Sequence, residues 1–132
     1  MKYTIKGSYF FHGKENPYTG LFEIEDNNIV GSISDPNSSC RRHEVKGKVF
    51  HLKDKIILDF VKIPVGTLKA DIFYKLEKSD KREGMAGEYK GFWSFKDQKV
   101  IKLCIGYKPG VGEAVMVIPE NERENKTHLS LG

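Results

Sequence analysis

The amino-acid sequence predicts an all-β protein, an antiparallel up-and-down barrel of about eight strands, on three observations. Apolar and polar residues alternate with a period of two along most of the chain. Turn residues interrupt that alternation about every 8 to 12 positions, and helical periodicity is nearly absent. A glycine stands at or near the middle of most strands, and it falls on the same parity as the strand's apolar residues.

Taken in order, the first strand runs from about Tyr3 to His12 and sets Tyr3, Ile5, Gly7, Tyr9 and Phe11 on one face. Asn16-Pro17 is expected to turn the chain. Strand two, Tyr18 to Glu25, places Gly20, Phe22 and Ile24 together, and Asp26-Asn27-Asn28 is a tight hairpin signal because Asn and Asp tolerate positive φ. Strand three carries Ile29, Gly31, Ile33 and Asp35, and Pro36 to Cys40 follows as a loop. Strand four resumes that parity with Arg41, His43, Val45, Gly47, Val49 and His51, and Lys53-Asp54 closes it.

Strand five alternates Ile56, Leu58 and Phe60 with Ile57, Asp59 and Val61, and Pro64-Val65-Gly66 ends it. Strand six sets Ala70, Ile72, Tyr74 and Leu76 on one side, and the charged stretch Lys78 to Gly84 is an exposed connection. Strand seven is the clearest, with Gly87, Tyr89, Gly91, Trp93 and Phe95 on one face. From Lys96 the alternation lapses until Ala114 to Ile118 forms a final strand. Val100 to Ile105 is compatible with a ninth short strand or a helical turn over one end of the barrel.

Five mid-strand glycines, Gly7, Gly20, Gly31, Gly47 and Gly91, share the apolar parity. Inside a small barrel such glycines relieve crowding and let a strand coil, so they favour closure over a sandwich. Closure also removes the exposed edges of the sheet. In an up-and-down order, the connections near residues 13 to 17, 36 to 40, 63 to 68 and 96 to 112 share one rim. Those loops are longer than their counterparts, which marks that rim as the open mouth.

The chain has 132 residues, 39% of them hydrophobic and 30% charged, which suits one globular domain. Residues 1–118 are expected to form the barrel, and 119–132 a charged, flexible tail. No apolar run approaches the roughly 18 residues of a membrane helix, and the N-terminus lacks the apolar core of a signal peptide. With only Cys40 and Cys104, this composition points to a cytoplasmic protein carrying two thiols, although both cysteines fall toward one rim and a bridge is the alternative. The net charge of +4 does not indicate nucleic-acid binding. Lysines alternate with acids, as in Glu44-Val45-Lys46, and the densest basic spot is Arg41-Arg42.

Gly7-Ser8-Tyr9 and Gly87-Glu88-Tyr89-Lys90-Gly91-Phe92-Trp93 place Gly-x-Tyr and Gly-x-Trp inside short strands. In this the chain resembles the calycin barrels of lipocalins and avidins over about residues 3 to 118, with Gly-x-Tyr where the lipocalin first strand has Gly-x-Trp. The resemblance implies a protein that binds a small or hydrophobic molecule.

The candidate site follows from parity. Tyr9, Phe22, Phe60, Tyr74, Tyr89 and Trp93 fall inside, and they either line a pocket for an apolar or aromatic ligand or fill the barrel completely. Asp35, Arg41 and His43 flank the mouth. There they would orient a ligand, with Arg41 for a carboxylate or phosphate and His43 as an acid, base or hydrogen-bond partner. The plain alternative is an Asp35–Arg41 ion pair closing the hairpin.

No metal or cofactor is expected. His43 and His51 share a face but stand roughly 26 Å apart at about 3.3 Å per residue, and His12 and His43 leave at most a single-histidine haem site. Gly106 to Gly112 does not match a phosphate-binding loop and reads as a turn. A small-molecule binder is favoured. The alternatives are a barrel enzyme of isomerase, cyclase or hydrolase type using Asp35, Arg41 and His43, and an interaction module or homodimer built on the outer residues Phe50, Phe73, Phe92 and Val115.

Overall fold

A computed structural model describes residues 1–66, 70–95 and 111–120. The readings for Val100 to Ile105, Cys104, residues 106 to 110 and most of the charged tail lie outside the described residues. Eight strands make one closed antiparallel barrel in sequence order. They are β1 (Lys2–Phe11), β2 (Lys14–Glu25), β3 (Asn28–Ser34), β4 (Arg42–Leu52), β5 (Lys55–Pro64), β6 (Ile72–Lys78), β7 (Gly87–Ser94) and β8 (Val111–Ile118).

The hairpins follow local backbone chemistry, with one correction. Asn16-Pro17 does not turn the chain. Both residues lie within β2, opposite Tyr9 and Ser8 of β1. The turn is His12-Gly13, where φ is 52° and 74°, and positive φ at both central residues gives a hairpin whose twist matches its strands. Pro17 is tolerated because β2 meets β3 only from Thr19 onward, at Ser34. Its missing N–H therefore leaves no β3 acceptor unmet. The β2–β3 turn is as expected, with Asp26 and Asn27 at φ 51° and 64°.

Alternation puts one face of each strand inside. Ile5, Phe22, Ile29, Leu58, Leu76 and Met116 are fully buried and pack the half of the barrel away from the long loops. On the outer face, Phe50 and Phe92 are exposed and Phe73 and Val115 half-buried. Phe92 stands between Lys75 and Glu113 on the neighbouring strands, so charge interrupts that apolar face.

The interior glycines mark close approaches. A Cβ on Gly7 would run into the Val115 carbonyl and lie 2.5 Å from Tyr18 Cζ, and one on Gly112 would run into the indole of Trp93. The space Gly7 and Gly112 leave is therefore taken by aromatic rings, and at Gly20, Gly31, Gly47 and Gly91 a backbone carbonyl of the neighbouring strand stands closest. The glycines permit tight closure, but they do not themselves make room for a ligand.

The seam between the first and last strands is short, pairing only Lys6–Tyr9 with Ala114–Val117. Two side chains fasten the elements around it. The Tyr18 hydroxyl donates to the Val115 carbonyl at 3.0 Å, and Trp93 Nε1 donates to the Phe10 carbonyl at 2.9 Å. At the opposite end, the charged connection after β6 is held by Asp80, which accepts from the backbone N–H groups of Glu88 at 2.7 Å and Arg82 at 3.0 Å. These bonds, the Glu88 one first, hold the Asp80 carboxyl below its usual pKa.

Candidate functional site

The connections after β1, β3, β5 and β7 share one rim, as an up-and-down barrel requires. A cavity of about 360 Å³ opens just inside that rim. Its wall has two unlike halves. Tyr9 and Phe11 of β1, Ile72 and Tyr74 of β6, and Trp93 and Phe95 at the end of β7 form an aromatic and apolar arc. Asn16 of β2, Asp35, Asn37, Ser38 and Ser39 of the β3–β4 connection, and His43 of β4 form a polar arc. Strand order places the arcs on opposite sides, because β6, β7, β8 and β1 are contiguous around the barrel and so are β2, β3 and β4.

A continuous run of rings floors and backs the aromatic arc. Phe22 meets Phe60 edge-on at 5.3 Å, and Phe60 stacks on Tyr74 at 4.9 Å with 6° between the planes. Tyr74 meets Tyr18 at 6.2 Å, Tyr18 stacks on Tyr9 at 6.5 Å, and Tyr9 meets Trp93 edge-on at 6.1 Å. Offset and edge-on rings satisfy the aromatic quadrupole, so these contacts are favourable beyond their apolar burial.

Behind the polar arc lies a buried ion pair. Lys62 keeps the inward parity of Leu58 and Phe60 and is 0% exposed, and its Nζ donates to Asp35 Oδ2 at 3.1 Å. The ammonium also sits over the rings of Tyr9 at 4.7 Å and Tyr74 at 5.4 Å, so its charge meets a carboxylate and two π faces. Burial pulls the Lys62 amine below its ordinary pKa, and Asp35 opposes that shift. The Tyr9 phenol moves the other way, raised by burial and then by Asp35 as hydrogen-bond acceptor and as charge. Asp35 Oδ1 is buried with no hydrogen-bond partner among the described residues.

Of the residues singled out from the sequence, Tyr9, Asp35, His43, Tyr74 and Trp93 line the cavity. Phe22 and Tyr89 do not. Phe22 packs in the filled half, opposite Tyr3 and Gly31. Tyr89 lies toward the far rim, where its hydroxyl donates to the Met85 carbonyl at 2.7 Å. Arg41 is exposed and outside the lining, so Asp35, Arg41 and His43 do not converge. The Asp35–Arg41 ion pair is replaced by Asp35–Lys62, and Arg41 meets Asp35 only through its backbone carbonyl, which accepts from the Asp35 N–H at 2.8 Å.

Sequence reasoning missed Lys62, although its parity within β5 was a usable signal. It also missed Asn16, whose amide donates to the Lys14 carbonyl at 3.0 Å and whose Oδ1 accepts from Asn37 at 3.3 Å. Cys40 is a buried thiol that donates to the Arg42 carbonyl. His51 lies at the opposite rim from the cavity, bonded to Asn27. Among the described residues no three His, Cys, Asp or Glu side chains gather as a metal site would require. Compared with protein families, curated proteins and solved structures, the chain matches none of them.

Proposed function

We propose that this protein is a small-molecule-binding barrel that takes an apolar or aromatic ligand into the cavity at its loop-bearing rim. The observation that carries this reading is the division of the interior. One half is solidly packed, whereas the other keeps about 360 Å³ between an aromatic wall and a polar one. That volume falls within the range of small-molecule sites, and so does a mostly apolar lining with a few placed polar groups. The resemblance of its strands to lipocalin and avidin barrels supports the same reading, and the low cysteine content supports a cytoplasmic setting.

An enzymatic reading is less well supported, because Arg41 stands away from Asp35 and His43. Trp93 is the only tryptophan and lines the cavity, so its emission is a direct probe. Titration with a panel of uncharged aromatic and aliphatic compounds is expected to quench or shift that emission saturably for some of them. A panel that leaves Trp93 unchanged throughout overturns the reading.

A further inference from the structure

Resting on that reading, we infer that the ligand is an uncharged, flat ring molecule with one apolar edge and one hydrogen-bonding edge that carries an N–H or O–H donor. Three observations lead there. The cavity is two-faced, with Trp93 and Tyr74 across from Asn16 and Asp35. A ring lying between the arcs would put its apolar edge on the indole and its polar edge on the amides and carboxylate. A purely apolar guest would strip water from that polar arc without replacing its hydrogen bonds.

Charge sets the second limit. Asp35 is the one carboxylate among the described lining residues, and Lys62 pairs with it at 3.1 Å. A cationic guest would bring a second positive group close to Lys62, and an anionic guest would face Asp35, in both cases where little water screens the charge. Among the described residues the charges of Asp35 and Lys62 balance, and a neutral guest fits that balance.

The donor follows from the third observation. Asp35 Oδ1 is a buried acceptor without a hydrogen-bond partner among the described residues, in a side chain that lines the cavity. A charged acceptor left unmet is costly, and a guest donor reaching it gains a charge-assisted bond. Asp35 faces the cavity beside Tyr9 and Tyr74, so a donor on the polar edge of a bound ring is the group that would meet Oδ1.

Four double-ring compounds of one size separate these terms by calorimetry on the unmodified protein: 2-quinolone, 1-methyl-2-quinolone, 2-naphthoate and 2-naphthylmethylamine. The inference expects 2-quinolone to bind tightest. Its N-methyl form, which lacks the donor, should be weaker by roughly ten- to a hundred-fold, the range of a hydrogen bond to a charged group, and both ions at least as weak. The variant Ile72→Trp, which fills the apolar side of the cavity, should abolish 2-quinolone binding while keeping cooperative unfolding.

Equal affinity for the two quinolones, or tighter binding of either ion, overturns the inference and leaves the cavity reading standing. Binding that survives Ile72→Trp in a folded protein places the compound elsewhere and overturns it too. If none of the four binds, this ligand class is wrong, and the Trp93 panel decides separately whether the cavity binds anything.

Discussion

Replacing Lys62 by methionine tests the buried ion pair at the centre of this barrel. Methionine keeps most of the length and apolar volume of the lysine stem but removes the ammonium, which leaves the Asp35 carboxylate, 1% exposed, without its charge partner. Stranding one member of a buried pair costs about 3–5 kcal/mol, and the lost contact of the ammonium with two tyrosine faces adds to it. A chain of this size has only about 5–15 kcal/mol to lose. Lys62→Met should therefore unfold at a much lower urea concentration with an unchanged slope, followed through Trp93 emission. The double variant Lys62→Met with Asp35→Asn removes both charges together and should recover most of that loss, because well-packed neutral replacements of a buried pair are often neutral or stabilising. The coupling between the two sites is expected to be about 2 kcal/mol or more. If the single variant costs less than about 1 kcal/mol, or the double costs the sum of the singles, Lys62 and Asp35 are not a buried, coupled pair.

Two further outcomes follow from the same interior. Tyr9, Tyr18, Tyr74 and Tyr89 all have phenols raised above their ordinary pKa, chiefly by burial. Unfolded tyrosines ionise near pH 10 and release protons the folded chain retains, so their stabilisation is complete below that pH and is lost as pH rises above it. Lys62 acts oppositely, since its lowered pKa makes the folded state gain relative stability as pH rises toward the ordinary lysine value. Four groups against one give a net loss, and urea midpoints should fall steeply above about pH 10, with the tyrosinate absorbance of these four rings appearing only as the chain unfolds; flat midpoints up to pH 11 (about one unit past the ordinary tyrosine pKa) would contradict the burial of these rings. Gly7→Ala should lower stability by about 1–3 kcal/mol, the usual cost of overpacking, because the added methyl meets the Tyr18 ring and the Val115 carbonyl. A neutral result in thermal unfolding would mean that Tyr18 does not lie against Gly7.

Much of the barrel was legible in the sequence because burial on a closed sheet follows parity. Gly87, Tyr89 and Trp93 are buried while Glu88, Lys90 and Phe92 are exposed, and that is the alternation read from the chain. Parity gives the side of a residue but not its depth. Tyr89 and Trp93 share a face four residues apart, yet one ends near the far rim and the other at the cavity. Depth depends on register and on how strands stagger around the barrel, which no single strand contains. Lys62 was passed over for a related reason. A lysine at an inward position is explained only by its partner, and Asp35 lies 27 residues away on the other side of β4. Pro17 misled because proline marks turns in general, whereas here the neighbouring strand simply ends below it.

The short seam between β1 and β8 has a consequence for how the molecule is made and how it opens. β1 and β2 zip along Lys2–Phe11, but the ring closes only when Lys6–Tyr9 meets Ala114–Val117, more than a hundred residues later in the chain. Contacts this distant in sequence slow folding, and on a synthesising ribosome the first seven strands must wait, with an unpaired edge, for the eighth. The same joint is where native-state opening should begin, so amide hydrogens along the seam are expected to exchange before those of β2 to β5. Tyr18 and Trp93 reach toward this joint from neighbouring strands while their rings back and line the cavity. Anything that settles against Trp93 would also act as a latch on the last strand to dock.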